Sequence, residues 1–331
     1  MRWREAAGPP CRGVARLVGE SGPMRELRER IPPIAASPFP VVVEGETGTG
    51  KELIARAIHE EGPRSRRAFV PVNCAVLGDE LFDSEVFGHA RGAFTGATGE
   101  RRGLLALSSG GTVFLDEVAE LTPRSQAKLL RALQGGEVRR LGENRTERLD
   151  LRVVTASNVS LDAATEAGRF RRDLLYRLEV VQLAAPALRE RRADVPRLAE
   201  HYWKDVAAAA GSRARLAPET VAALQGHRWP GNVRELQNVL ANLTVTAPRF
   251  GAIGPEHLPA AFRRPVPARP RTLAAAREEL ERSMVCDALD RNPSAAAAAA
   301  ELGVTRQGLS RLIVRLEINP ARDRPGGGRS R

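Results

Sequence analysis

The chain contains 331 residues, too many for one compact domain, which predicts two or three. Its longest apolar runs, such as residues 41–43, are far too short to span a bilayer, and its first residues lack the apolar stretch of a secretory signal, so a membrane or exported protein is excluded and a cytoplasmic one is predicted. The formal net charge is +11, and residues 262–331 hold 14 arginines against 8 acidic residues, a net +6 that favours a C-terminal part binding a polyanion.

The first half of the chain alternates short apolar runs with helical patterns. The helical pattern is clearest in residues 51–61, where apolar residues recur at helical spacing. Strands separated by helices form parallel sheets, whose ligand sites lie at the carboxyl ends of the strands. The apolar runs therefore predict five buried parallel strands, at residues 40–44, 69–73, 112–115, 151–155 and 180–183.

The segment from Gly45 to Lys51 follows the first predicted strand and leads into a helix, which is the context of a phosphate-binding loop. Its glycines let backbone N–H groups turn toward phosphates, and Lys51 would contact the β- and γ-phosphates. Glu52 stands where a Ser or Thr hydroxyl commonly binds Mg²⁺, and a simple glycine-rich turn is the alternative. The predicted nucleotide-binding residues of this loop are Gly45, Glu46, Thr47, Gly48, Thr49, Gly50, Lys51 and Glu52.

A second chemical signal is the apolar strand that ends in Asp116-Glu117. Phosphoryl transfer needs a metal ion and a lysine to stabilise charge, and a carboxylate to orient the attacking water. Asp116 would hold Mg²⁺ through water, and Glu117 would position and polarise the attacking water. A charged turn after a buried strand is the alternative, and the phosphate loop upstream argues against it. The two motifs together predict an NTPase.

After the predicted sheet, the sequence changes to helical patterns. Helices are predicted at residues 194–210, 217–224 and 232–247, with no further strand, and Asp194 is the expected N-cap of the first. Prolines and arginines in residues 263–271 are typical of an extended linker. The predicted organisation is a leader at 1–17, an α/β subdomain at 18–185, a helical subdomain at 186–261, a linker at 262–271, an all-α domain at 272–318 and a disordered tail at 319–331.

Near the C-terminus, residues 295–301 and 305–316 read as two short helices joined by a turn, which is a helix-turn-helix pattern. Thr305 is the expected N-cap of the second helix, and Gly308 within it costs about 1 kcal/mol relative to alanine. A helical hairpin used for dimerisation is the alternative. The predicted DNA-binding residues are Thr305, Arg306, Gln307, Ser310 and Arg311 on the early turns, and Arg315 on phosphates.

The hexapeptide at residues 92–97 surrounds one aromatic residue with small ones, as in a hinged loop, and an ordinary hairpin with a buried aromatic is the alternative. With the preceding segment 83–89, it resembles the signature of the bacterial enhancer-binding proteins, which are AAA+ ATPases that remodel RNA polymerase carrying sigma-54. In that family, Gly-Lys-Glu is the usual end of the phosphate loop. The resemblance implies that sigma-54 is contacted by Gly92, Ala93, Phe94, Thr95, Gly96 and Ala97.

The resemblance also implies roles for residues outside the two nucleotide motifs. Asn73 would hold the water-positioning glutamate inactive until the target is engaged, and Asn158 would sense the γ-phosphate. Arg171 and Arg177 would reach the γ-phosphate of a neighbouring subunit. Arg234 would contact nucleotide bound to its own subunit. Arginines that act in a neighbouring pocket require assembly, so the resemblance implies a homo-oligomeric ring, typically a hexamer.

The resemblance covers roughly residues 18–318 and implies an α/β AAA+ P-loop NTPase with helices on both faces of a parallel sheet, a small helical lid and a C-terminal helix-turn-helix of the Fis type. The implied protein hydrolyses ATP with Mg²⁺, binds double-stranded enhancer DNA through dimeric heads and remodels the closed complex of sigma-54 RNA polymerase. The alternative is a DNA-binding regulator whose ATP site only switches assembly. Because the chain begins close to the ATPase, a separate regulatory protein is one expected source of control.

Overall fold

The structure, a computed structural model, describes residues 12–76, 78–93, 99–262, 273–292, 294–316 and 318. The chain divides into two compact units, Met1–Arg264 and Pro265–Arg331. Several predictions fall outside the described residues: Phe94, Thr95, Gly96 and Ala97 of the predicted sigma-54 loop, residues 1–11 of the leader, residues 263–271 of the linker and residues 319–331 of the tail.

Strands and helices alternate in the first unit, and the described part of the second is helical. The strands are β1 (Val41–Glu44), β2 (Phe69–Asn73), β3 (Gly88–His89), β4 (Arg101–Arg102), β5 (Thr112–Asp116), β6 (Glu137–Arg139), β7 (Thr146–Arg148), β8 (Arg152–Ser157), β9 (Val181–Ala184), β10 (Arg215–Leu216) and β11 (Ala252–Ile253). The α-helices are α1 (Gly22–Ala36), α2 (Lys51–Glu60), α3 (Asp79–Val86), α4 (Leu104–Leu107), α5 (Pro123–Gly135), α6 (Leu161–Glu166), α7 (Arg172–Leu178), α8 (Val195–Ala209), α9 (Pro218–Gly226), α10 (Asn232–Thr246), α11 (Leu273–Arg291), α12 (Ala295–Glu301) and α13 (Arg306–Arg315). Short 3₁₀ helices lie at Gly13–Arg16, Val118–Glu120, Leu188–Asp194, Pro255–His257 and Ala260–Phe262. Within the described residues, every helix falls short of the combined length and hydropathy needed to cross a membrane.

Five strands form one parallel sheet in the order β2-β5-β8-β1-β9. Successive side chains of a strand point to opposite faces, so Val42 and Val113 pack into one buried cluster while Val43 and Phe114 pack into another. The sheet is therefore covered by helices on both sides, which confirms the predicted fold class. All five predicted strands form, and their carboxyl ends share one edge, where a ligand site is expected.

Three helices, α8, α9 and α10, pack around the fully buried Trp229 and make the lid. The Trp229 indole N–H donates to the Leu224 carbonyl at 2.9 Å, so this large side chain is buried with its polar group satisfied. The prediction that strands stop after the sheet is wrong in one detail, because β10 and β11 form a short parallel pair. Two-residue strands are too short to leave a periodic pattern in the sequence.

Asp194 occupies the N-cap position of α8, as predicted, but its carboxylate makes no hydrogen bond to that helix. It accepts instead from the backbone N–H groups of Glu20 and Ser21, at 2.7 and 2.8 Å, and from the Ser21 hydroxyl at 2.5 Å. These groups lie at the start of α1, where N–H groups lack partners within the helix. Asp194 therefore ties the segment that leads into the lid to the first helix of the chain.

Helices α11, α12 and α13 of the second unit share a small core that includes Val285, Ala299 and Leu309. As predicted, Thr305 caps α13, because its hydroxyl accepts from the Gly308 N–H at 3.0 Å. A Cβ at residue 308 would lie 3.2 Å from that hydroxyl oxygen. Glycine at residue 308 thus leaves room for the Thr305 hydroxyl. The capping bond that this allows offsets part of the free energy that glycine costs the helix.

Candidate active site

The predicted phosphate loop joins the end of β1 to the first residue of α2, at the carboxyl edge of the sheet. Gly48 and Gly50 have φ of +82° and +100°, which glycine adopts without strain. A Cβ at Gly48 would also collide with the Gly231 carbonyl of the lid. The loop leads directly into the N-terminus of α2, where unpaired N–H groups and partial positive charge favour a bound phosphate.

Lys51 is buried at the base of this loop, where its ammonium donates to the Gly45 carbonyl at 2.8 Å and the Glu46 carbonyl at 3.4 Å. Its Nζ lies 3.9 Å from Oε1 of Glu117. Burial lowers the pKa of Lys51, and the carboxylates of Glu117 and Asp116 oppose that change. A lysine held this way by carbonyls and carboxylates can exchange its partners for phosphate oxygens.

Asp116 is the last residue of β5, and Glu117 follows it beside Lys51. Glu117 has φ of +55°, an uncommon conformation for a side chain of its size, and its backbone N–H donates to Asp116 Oδ1 at 3.1 Å. Its Oε2 is buried and has no hydrogen-bond partner among the described residues. Burial raises the pKa of both carboxyls, and Lys51 is the main opposing charge. An unpaired carboxylate oxygen in such a position can accept a hydrogen bond from water.

A magnesium ion fits the chemistry of this edge. Among the described residues, no group of three or more His, Cys, Asp or Glu side chains could hold a metal ion. Mg²⁺ in nucleotide sites is commonly bound by one or two carboxylates, with water and substrate phosphates completing its shell. Asp116 ends β5 at the carboxyl edge of the sheet, within electrostatic reach of Lys51, so Asp116 is the residue that could hold the ion.

Asn73 and Asn158 lie at the ends of β2 and β8, on either side of β5. Asn73 pairs in the sheet register with Asp116, the residue before Glu117, and its carboxamide oxygen accepts from the N–H groups of Ala75 and Val76, at 2.9 and 3.2 Å. Asn158 Oδ1 is buried and has no hydrogen-bond partner among the described residues. Asn158 thus borders the site with polar capacity unused, whereas Asn73 closes a local turn.

Glu52 and Arg234 occupy the margins of the site. Glu52 turns along α2 and pairs with Arg56 at 2.8 Å, on the exposed side of the helix. Arg234 is exposed on α10, and its charge opposes protonation of Lys51 and favours the ionised form of Asp116. Both charges therefore lie within electrostatic reach of the site, where that of Arg234 lowers the pKa of Asp116 and that of Glu52 raises it.

Arg171 and Arg177 are the predicted arginine fingers, the two residues expected to reach the γ-phosphate of a neighbouring subunit. Both lie on the surface at α7. The Arg171 guanidinium pairs with Asp173 at 2.8 Å, and both side chains are exposed. Arg177, also exposed, donates through Nη2 to the Leu133 carbonyl at 2.8 Å. Neither guanidinium hydrogen-bonds to a residue of the phosphate loop in its own chain. To reach a neighbouring molecule, the Arg171 guanidinium would have to leave Asp173, and the Arg177 guanidinium would have to leave the Leu133 carbonyl.

Lid residues contact the phosphate loop more closely than the sequence predicted. Asn232 donates to Glu46 Oε2 at 3.0 Å and to the Thr47 carbonyl at 3.1 Å, and Arg189 pairs with Glu46 at 2.6 Å. The buried Arg191 donates to the Thr49 carbonyl at 3.1 Å. Asn232 could have been predicted from the sequence, because it lies two residues before Arg234 in the same motif. Arg189 and Arg191 belong to no motif that would have predicted their contacts with the loop.

Two openings border the loop. A cavity of 470 Å³ lies beside Gly45, Glu46 and Asn158. A narrow cleft of 40 Å³ lies at the other end of the loop, beside Thr49 and Leu53, and is lined mainly by apolar side chains. Because the terminal phosphate would face Lys51 and Glu117, the apolar cleft is the end suited to a nucleoside.

The base of the predicted sigma-54 loop is a short hairpin in which β3 pairs antiparallel with β4. Gly92 and Ala93 are the described residues of the hexapeptide, and Gly92 lies three residues after the end of β3. The Ala90 N–H donates to the Leu141 carbonyl, and the Leu141 N–H donates to the Gly88 carbonyl, each at 2.9 Å. Leu141 lies between β6 and β7, so a second hairpin is bonded to the base of the loop.

Helix α13 presents the predicted DNA-binding residues on its surface. Arg306, Gln307, Ser310 and Arg311 are exposed, whereas Leu309 faces the core. This split is what a recognition helix requires. Arg315 pairs with Glu281 of α11, so it has a protein partner that a DNA phosphate would have to displace.

Comparison with known proteins identifies relatives along most of the chain. The family model for the sigma-54 interaction domain matches residues 17–184, and that for the AAA+ ATPase lid domain matches residues 189–275. The response regulator protein PilR of Pseudomonas aeruginosa is 52% identical over 226 residues, covering 68% of this chain and 51% of that protein. The hydrogenase transcriptional regulatory protein HoxA of Bradyrhizobium diazoefficiens is 44% identical over 291 residues, covering 84% of this chain and 59% of that protein.

The chain spans about half the length of these curated relatives. Among solved structures, NtrX from Brucella abortus in complex with ATP superposes with a TM-score of 0.69 at 32% sequence identity. That similarity covers 91% of this chain and 69% of the NtrX chain. The similarity therefore extends over nearly all of the chain's length.

Proposed function

This chain belongs to the family of proteins that carry a sigma-54 interaction domain, and from that premise we propose that it is an ATP-hydrolysing transcription activator. It binds enhancer DNA upstream of a promoter and remodels the closed complex of RNA polymerase with sigma-54. The observation that carries the enzymatic part is the convergence of Lys51, Asp116 and Glu117 at the carboxyl edge of the sheet. The ATP complex of the similar NtrX supports a nucleotide site here.

In the proposed reaction, the N–H groups of the phosphate loop and Lys51 hold the triphosphate. Asp116 would hold Mg²⁺, which when bound would supply positive charge to the phosphates. The unpaired Oε2 of Glu117 accepts a hydrogen bond from the attacking water and orients it in line with the γ-phosphate. Asn158, whose carboxamide oxygen is also unpaired among the described residues, reports the presence of that phosphate.

Hydrolysis is coupled to the polymerase through the hexapeptide at residues 92–97. Its base is bonded through backbone hydrogen bonds to the hairpin of β6 and β7. A movement of that hairpin is therefore carried to the hexapeptide, which contacts sigma-54 while ATP is bound. Several subunits assemble into a ring, so that Arg171 and Arg177 complete the pocket of a neighbour.

The C-terminal unit supplies the DNA-binding head. Arg306 and Gln307 on the first turn of α13 contact base edges, and paired heads bind the enhancer with avidity. The exposed polar face of α13 and its capped N-terminus support this assignment. Control by a separate regulatory protein belongs to the same proposal.

The test is promoter melting with purified components. Sigma-54 RNA polymerase on a sigma-54 promoter is mixed with the protein and with ATP or a non-hydrolysable analogue, and single-stranded DNA is detected chemically. We expect the promoter to melt with ATP and not with the non-hydrolysable analogue. Intact ATP hydrolysis without melting would favour a DNA-binding regulator whose ATP site only switches assembly.

Substitution of Thr95 separates hydrolysis from remodelling. Thr95→Ala removes one hydroxyl from the hexapeptide, distant in sequence from the phosphate loop, so ATP turnover is expected within about twofold of wild type because no nucleotide contact changes. Promoter melting is expected to fall at least tenfold. Thr98→Ala, just outside the hexapeptide, is the matched control and should retain both activities. Equal loss of melting in both variants would remove the specific role of Thr95.

A further inference from the structure

The outer side of the phosphate loop is bound to the lid by a set of contacts that we call the latch: Asn232, Glu46, Arg189 and the carbonyl of Thr47. Asn232 Nδ2 donates to Glu46 Oε2 at 3.0 Å and to the Thr47 carbonyl at 3.1 Å. Its Oδ1 accepts from the Leu188 N–H at 2.8 Å. A single carboxamide thus bonds two residues of the loop and the segment that enters the lid.

Asn232 is suited to this position by its backbone as well as its side chain. It is fully buried and has φ of +53°, in the left-handed region that asparagine, aspartate and glycine adopt more easily than other residues. It is also the first residue of α10. A buried carboxamide with both its oxygen and its nitrogen bonded is costly to replace, since any change leaves a buried polar group unpaired.

Glu46 is the loop residue that the latch holds. Arg189 donates to its carboxylate at 2.7 Å, and hydrogen bonds from Arg189 and then Asn232 lower the pKa of Glu46. The pair between Arg189 and Glu46 is substantially exposed, so water screens it and it contributes little alone. The bonds to the buried Asn232 are therefore the stronger half of the latch.

The latch is continued by backbone contacts. The Val233 N–H donates to the Gly48 carbonyl at 3.0 Å, and Gly48 packs against the Gly231 carbonyl. The outer side of the loop is thus attached to the start of α10 from residue 46 to residue 48. A change in the loop on nucleotide binding must either break these bonds or move α10.

We propose that Asn232 is a positioning residue that holds the phosphate loop in its binding conformation and transmits nucleotide occupancy to the lid. This inference rests on the proposed function only in taking ATP as the ligand. Asn232 touches no phosphate itself and acts through Glu46 and Thr47. The bonds of the latch lie outside the phosphate-binding face, so they persist when nucleotide enters.

The sharpest variant is Asn232→Asp. Aspartate tolerates the same backbone conformation and keeps the acceptor for the Leu188 N–H, but it places a carboxylate oxygen against Glu46 and the Thr47 carbonyl. We expect the dissociation constants for ATP and ADP, measured by calorimetric titration, to rise about ten- to a hundredfold, the range expected when a hydrogen bond to a charged group is lost. Asn242→Asp, on the exposed side of the same helix, is the matched control and should bind as wild type does.

A second readout follows the lid directly. Hydrogen exchange of the backbone amides in the first two turns of α10 should slow when wild-type protein binds ATP. In Asn232→Asp at saturating ATP, this slowing should be lost, because the loop no longer holds the lid. Unchanged affinity together with unchanged protection of α10 would overturn the proposal. A fall in melting temperature with normal affinity and protection would do the same, because it would reduce Asn232 to a structural role.

The double variant Asn232→Asp with Glu46→Gln tests the contact itself. Glutamine can donate its amide hydrogen to the aspartate, which restores the bond with the donor and acceptor exchanged. ATP affinity should recover by at least threefold over Asn232→Asp alone, and no recovery would contradict a direct contact. If Asn232→Asp does not fold, Glu46→Ala cuts the latch from its half-exposed side, with the same two readouts. Failure of wild-type protein to bind ATP would instead refute the proposed function, so the two failures are distinguishable.

Discussion

Replacing Glu117 with glutamine is expected to leave ATP binding within a few-fold of wild type and to lower turnover by about two orders of magnitude or more. Glutamine keeps the volume of the side chain and a carbonyl oxygen, so the packing beside Lys51 persists. It removes the charge that would polarise water, and it replaces one acceptor oxygen with an amide nitrogen that only donates. Binding and hydrolysis should therefore separate in this variant.

The reason lies in the position of the carboxylate. Oε1 of Glu117 is 3.9 Å from Lys51 Nζ, and Oε2 is buried without a partner among the described residues. Burying a carboxylate oxygen without a partner costs free energy, and the left-handed backbone at Glu117 adds to that cost. A hydrogen bond from a bound water recovers part of this free energy, so the protein favours a water molecule where hydrolysis needs one.

Phosphate release and nucleotide titration measure the two quantities separately. Glu120→Gln is the matched control, since Glu120 is an exposed acid three residues further along the chain and should turn over ATP normally. Undiminished hydrolysis by Glu117→Gln would remove Glu117 from its proposed role. Loss of binding together with turnover would show instead that the charge of Glu117 holds Lys51 in place.

The sequence was sufficient for the elements that are decided locally. Strands such as β1 and β5 are continuous apolar runs, because a parallel sheet covered on both faces buries every side chain. The phosphate loop and the end of β5 could be assigned because their chemistry needs particular residues at fixed spacing. Thr305 was predicted as a cap for the same reason, since its partner, Gly308, is three residues away.

What the sequence could not predict are contacts between residues far apart along the chain. Asp194 bonds to Ser21, 173 residues away, and Asn232 bonds to Glu46, 186 residues away. Both side chains lie at helix starts, where a local cap was the natural expectation for Asp194. Asn73 has a local contact that the resemblance did not predict, because its carboxamide oxygen accepts from the Ala75 N–H, and its role toward Glu117 stays a prediction. For Asp194, the backbone N–H groups of Glu20 and Ser21, which need partners, decide the outcome.

Substitution of either arginine finger by alanine should abolish most turnover while leaving nucleotide bound. We expect Arg171→Ala and Arg177→Ala each to lower turnover by about a thousandfold, because an arginine that acts on the transition state contributes on this scale. Both guanidiniums are exposed and bonded to groups of their own surface, Asp173 and the Leu133 carbonyl. Arg172→Ala, on the exposed residue beside Arg171, is the matched control and should remain active.

Mixed assemblies decide whether the arginines act in a neighbour's pocket. Arg177→Ala subunits keep an intact pocket, and Glu117→Gln subunits keep an intact finger, so each supplies what the other lacks. In rings that assemble at random from equal amounts, half of the pockets are competent and half of those face an intact finger. Turnover should therefore recover to about a quarter of wild type in the mixture, although each variant alone is nearly inactive. Absence of recovery would argue against action in a neighbour's pocket. Arg177 would then act within its own chain, although its guanidinium is bonded to the Leu133 carbonyl and not to the phosphate loop, or it would stabilise the ring itself.

A mixture of Arg177→Ala with Arg171→Ala subunits tests whether the two arginines act together. It should stay inactive if both arginines must enter the same pocket from one neighbour, and this result would assign them to a single finger.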